Sequence, residues 1–125
     1  MLENDLSAVE LYRGDLFADL EDAEWLSLDR EHHRIRFVDA AVRAGELLLG
    51  RGNPDAAEKV AHRALAVDRW AEQAYAVLIG AAMARRDRSG AQRMLRHCSD
   101  ALDELGAQPS QATRQLPRRV LGVAV

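Results

Sequence analysis

The chain has 125 residues, 48% hydrophobic and 30% charged, a mixture suited to one soluble domain with a modest core. Three prolines and eight glycines are too few breaks for an all-β domain, and no apolar run reaches the ~18 residues of a membrane span. The opening MLENDLSAVE lacks the basic and apolar regions of a secretory leader, and the single cysteine, Cys98, excludes an internal disulfide, so a cytoplasmic location is expected.

The net charge of −3 is unevenly spread. Residues 1–31 hold ten acids against Arg13 and Arg30, a balance of −8, whereas the remaining ten acids face fifteen Lys or Arg, a balance of +5. Such asymmetry lets one end of a domain meet the other, or a charged partner.

Taken in chain order, Leu6, Val9 and Tyr12 recur at helical spacing and predict a short helix over residues 5–13. Gly14 is placed to stop it and Asp15 to cap the turn that follows. A long helix is predicted over residues 22–49. Leu28, Ile35, Val42 and Leu49 stand seven apart along it, and Phe37, Ala41, Ala44 and Leu48 follow 4-3-4 spacing, together a wide apolar face. Its interleaved small residues favour close helix packing over a coiled coil. The segment GRGNPD ends it, with Asn53 as cap and Pro54 at the first position of the next helix.

Three more amphipathic helices follow, over residues 54–67, 70–86 and 89–105. The last has the cleanest stripe: Ala91, Met94, Leu95, Cys98, Ala101, Leu102 and Leu105. Gly106 stops it, and after Pro109 the hydroxyl of Ser110 can cap a sixth helix. Pro117 should end or kink that helix, because it removes a hydrogen bond and crowds the preceding turn; the tail 117–125 has no clear assignment.

Helices of similar length suggest an internal repeat. Counting from Val38, the eighth, twentieth and twenty-seventh residues are Gly45, Ala57 and Ala64. Counting again 34 residues later, from Glu72, the twentieth and twenty-seventh are Ala91 and Cys98, while the eighth is Ile79. Small residues at these offsets resemble the tetratricopeptide repeat, in which they let antiparallel helices approach closely. The usual closing proline is replaced by Arg69 in one unit and Asp103 in the other. The resemblance implies an all-α fold: about two antiparallel helix pairs with flanking helices, wound as a right-handed superhelical bundle.

Chemistry-bearing constellations are sparse. His32, His33, His62, His97 and Cys98 are the soft metal-ligand types. His97 and Cys98 are adjacent and diverge on a helix, Cys98 lies on an apolar stripe, and the histidine pair sits in a charged face. No phosphate-binding loop, nucleophile elbow or zinc-protease motif is present. Hence no catalytic residue, metal or cofactor is assigned. Arg85, Arg86, Arg88, Arg93 and Arg96 are interrupted by Asp87 and lack interleaved aromatics, so a solvated face or an intramolecular partner is preferred to nucleic-acid binding.

In tetratricopeptide arrays the first helix of each pair lines a concave face. The matching positions here are Val42, Glu46 and Leu49, then Gln73, Ala76, Gly80 and Met83, mostly apolar or small. They form the candidate interaction groove, suited to an apolar helix from this chain or from a partner.

The segment LYRGDLFADLEDAEWLSLDREHHRIR, carrying Leu11, Tyr12, Arg13, Gly14, Asp15, Leu16, Glu24, Trp25, Arg30 and Arg34, resembles the opening of the bacterial transcriptional activator domain of Streptomyces antibiotic regulatory protein-type regulators. GRGNPDAAEKVAHRALAVDRWAEQAYAVLI is similar to that module's repeat unit, and ELGAQPSQATRQL, with Pro109 and Ser110, to its closing signature. The similarity covers about residues 6–116 and departs at Asp68-Arg69, where Asp-Pro is usual, and at Pro117.

The resemblance implies a non-enzymatic regulatory and protein-interaction domain of a cytosolic transcriptional regulator, normally following a winged helix-turn-helix. Its implied partners are a second copy as a homodimer, RNA polymerase, or the linked DNA-binding domain. Direct nucleic-acid or membrane contact is not implied for this chain. The alternative reading is a free-standing tetratricopeptide-like adaptor unrelated to transcription.

Overall fold

The computed structural model describes residues 23–118, with side chains from Leu28 onward. Helix α1 spans Ala23–Gly50, α2 Pro54–Val67, α3 Glu72–Ala84, α4 Arg88–Asp103 and α5 Gln111–Gln115, followed by a 3-10 turn, Leu116–Arg118. No strand occurs among the described residues. Each of the first three helices packs on its successor, and α1 also meets α3. These are the antiparallel helix pairs of a tetratricopeptide-like fold. The expected helix over residues 5–13 and its Gly14-Asp15 stop lie outside the described residues, and of Trp25 only its place in the first turn of α1 is described.

Small residues set the spacing. Ala41, Ala44, Ala57, Ala61, Ala64, Ala74, Ala81 and Ala91 are fully buried where helices cross. At Gly45 a Cβ would stand 2.9 Å from Cγ1 of Val77, closer than real side chains approach, so α1 and α3 touch backbone to side chain there. Of the expected offsets, Gly45, Ala57, Ala64, Ala91 and Cys98 are all buried at helix contacts. α3 is the central helix. Ala74, Tyr75, Val77, Leu78, Ile79, Ala81, Ala82 and Met83 are buried on every side of it, as suits a helix enclosed by neighbours. α4 instead buries one stripe, with Ala91, Cys98 and Leu102 inside; Leu105 falls past its end and is 57% exposed.

The 34-residue period is written into the turns. Gly52 has φ +76° and Arg86, 34 positions later, φ +61°. Both complete the same helix stop: Gly52 N donates to Leu49 O and Asn53 N to Leu48 O, and Arg86 N donates to Met83 O and Asp87 N to Ala82 O. The next residue caps the following helix in each case, Asn53 accepting from Ala56 N at 3.2 Å and Asp87 from Gly90 N at 2.9 Å.

The joint between the helix pairs has no proline. In its place Arg69 pairs with Glu104, the guanidinium stacks over Trp70 at 5.1 Å, and Trp70 Nε1 donates to Glu104 at 3.1 Å. Tyr75 Oη donates to Arg69 O at 2.9 Å, fixing the backbone from below. Arg85 reaches from the end of α3 to Asp55 at 2.6 Å and Glu58 at 3.2 Å on α2. Of the arginine run, Arg85 thus pairs with acids of α2.

The closing segment folds back on α3. Glu72 accepts from Ser110 N at 2.8 Å and from Thr113 Oγ1 at 2.6 Å, while Ser110 Oγ caps α5 through Thr113 N. Pro117 ends α5 as its missing N–H requires. Its ring is fully buried in a 3-10 turn against α3 and α4, where Leu116 packs on Ile79, Ala82, Met83 and Ala91.

Candidate interaction groove

α1 presents two faces with different fates. Phe37, Ala40, Ala41, Ala44 and Leu48 are buried against α2 and α3. The heptad line divides along the helix: Leu28 and Ile35 are 71% and 53% exposed, whereas Val42 and Leu49 are half-buried. Val42 and Leu49 run beside α3, at Gln73 and Gly80, and at 1.5 Å per residue α3 is about 20 Å long against about 42 Å for α1, too short to cover the whole line.

The seven groove positions separate into three kinds. Leu49 and Gly80 meet: a Cβ at Gly80 would lie 2.8 Å from Leu49 Cδ1, so this end of the α1–α3 seam is closed. Met83 is buried with Ile79 and Ala82 and serves the core. Ala76 is half-buried and Glu46 exposed. Val42 and Gln73 line an open cleft of about 360 Å³ at the other end of the seam. The rest of its lining is Val38, Asp39, Arg43, Asp68, Ala71 and Glu72.

Those six were not assigned to the groove from the sequence. Val38 and Asp39 carried a usable signal, one helical turn before Val42 and Arg43 on the same face. Asp68, Ala71 and Glu72 did not, because the course of the proline-free joint decides where they point. Asp68 Oδ1 accepts from Trp70 N at 3.0 Å, which turns the chain so that Ala71 and Glu72 open α3 beside α1. Burial of the Glu72 carboxyl opposes its ionisation, but the hydrogen bonds from Thr113 and Ser110 outweigh it and hold its pKa below the usual carboxylate value. Glu72 is therefore a fixed negative charge at the mouth of the cleft.

Among the described residues no group of three His, Cys, Asp or Glu side chains converges on a metal position. Cys98 is buried, and desolvation, followed by the nearby Glu72 charge, pushes its thiol up to about 11, so it stays protonated and unreactive at neutral pH. His33 lies 3.6 Å from Asp29 on one exposed helix face.

The family model of the bacterial transcriptional activator domain matches residues 4–121. The chain belongs to that family. No curated protein and no solved structure matches the chain. For this bacterial transcriptional activator domain the match runs past Pro117. Arg69 and Pro117 both lie within the matched residues, and the structure gives each a definite place. The domain is of a regulatory type. No helix of the described residues is long and apolar enough to cross a membrane.

Proposed function

We propose that this domain is a non-enzymatic interaction module of a transcriptional regulator, and that its α1–α3 cleft receives a protein segment. Through that contact it mediates self-association or contact with the transcription machinery. The observation that carries the reading is the open cleft. Val38, Val42 and Ala71 are only partly buried there, at the edge of the core cluster. Apolar side chains beside polar ones in a concavity are the usual anatomy of a contact site.

Multi-angle light scattering tests the reading on the chain alone and mixed with a winged-helix DNA-binding domain or RNA polymerase. A mass above the monomer in any of these is expected, reverting to the monomer in Val42→Glu with its helical circular dichroism intact. A monomer in every mixture would overturn it.

A further inference from the structure

We infer that the occupant of the α1–α3 cleft is a cationic amphipathic helix of another protein, seating an apolar side chain on Val38, Val42 and Ala71 and placing Lys or Arg opposite the carboxylates at the mouth. The inference rests on the interaction-module reading and adds the chemistry of the partner.

Size limits what enters. About 360 Å³ lies at the small end of ligand sites, room for one or two anchoring side chains and not for a folded loop. Charge then selects. The lining carries three carboxylates, Asp39, Asp68 and Glu72, against one guanidinium, Arg43. The positive end of α3 opens in the same place, but Glu72 sits in its first turn and offsets that partial charge. Opposite charge across such a rim governs partner choice and encounter rate more than raw affinity.

Charge also argues against this chain's own first 22 residues as the occupant. Residues 1–22 hold seven acids against Arg13, the same sign as the mouth of the cleft, and the same segment of a second copy has the same defect. A partner of the opposite sign meets no such repulsion. The exposed Ile35 and Leu28 continue the Val42 line at seven-residue spacing, giving an approaching helix an apolar ridge beyond the cleft.

Two synthetic helical peptides with one leucine pattern test this, one with Lys and one with Glu at every polar position. Binding to the full chain is read by fluorescence anisotropy and mapped by amide chemical shifts. The Lys peptide is expected to bind at least about tenfold more tightly at low salt, with shifts at Val38, Val42, Ala71 and Gln73. Asp39→Lys, at an exposed position, should remove most of that preference while leaving the fold intact. Equal binding of both peptides, or shifts confined to the acidic residues 1–31, would overturn the inference. If the Glu peptide wins with shifts at the same four residues, the assigned charge is wrong and the interaction-module reading stands. If neither peptide shifts them, the inference falls, and light scattering decides the broader reading.

Discussion

Arg86 occupies a backbone conformation that costs a residue with a Cβ about 1–2 kcal/mol. Its counterpart one period earlier, Gly52, pays nothing. Arg86→Gly is therefore expected to stabilise the domain by about 0.5–1 kcal/mol, read as a higher urea midpoint with an unchanged slope; a fall in midpoint would show that the Arg86 side chain holds something the turn geometry does not reveal. Glu72 makes the opposite kind of contribution. Because its folded pKa lies below its unfolded one, its stabilisation is present above the ordinary carboxylate range and is lost as pH falls through the folded value. Wild type should exceed Glu72→Gln by about 1–2 kcal/mol at pH 7, and the gap in urea midpoints should narrow toward pH 3. A gap independent of pH would mean that the hydrogen bonds survive in the amide. Ser110 was legible as a cap because its side-chain type and position suffice. Glu72 was not, because its partners lie 38 and 41 residues away and only the return of the chain brings them together.

Helix contacts are set by two glycines that look alike in the sequence and differ in the structure. At Gly45 an added methyl meets the branched, buried Val77; at Gly80 it meets the end of the more flexible Leu49. Overpacking of about 1–3 kcal/mol at Gly45 exceeds the ~1 kcal/mol that alanine adds to helix propensity. Gly45→Ala should thus lower stability by about 1 kcal/mol, and Gly80→Ala should be neutral or slightly stabilising. Val77→Ala placed behind Gly45→Ala should show a favourable coupling in a double-mutant cycle, and additivity of the two would refute the contact. Helix existence and type were readable from periodicity, and the stop-and-cap at Gly52-Asn53 fixed the start of α2 at Pro54. The half-exposed heptad line of α1 was not readable in the same way. Spacing gives the face a residue occupies, but the shorter length of α3 decides how far along that face cover extends.

For the molecule as a whole, the last described residues work as a lid. Leu116 and Pro117 close the far end of α3 and α4, and Glu72 ties the segment down. A chain ending after Gly106 should lose on the order of 3 kcal/mol, the scale of one or two buried apolar side chains, and should bind hydrophobic dye over the exposed Ile79 and Met83. An unchanged midpoint with no dye signal would show that the helix pairs close without it. The repeat architecture was accessible from the sequence because small residues recur at fixed offsets, whereas the lid was not: Pro117 announces where a helix ends and says nothing about what its ring will cover.

Most tetratricopeptide joints are stiffened by a proline, whose ring fixes the turn at any ionic strength. Here Arg69 and Glu104 do that work across a surface where both remain substantially exposed, and surface ion pairs weaken as salt screens them. The clasp at this joint, unlike the buried packing beneath it, is therefore expected to weaken as salt rises. Trp70, touching both partners of the pair, sits where its fluorescence would register the loosening of that clasp.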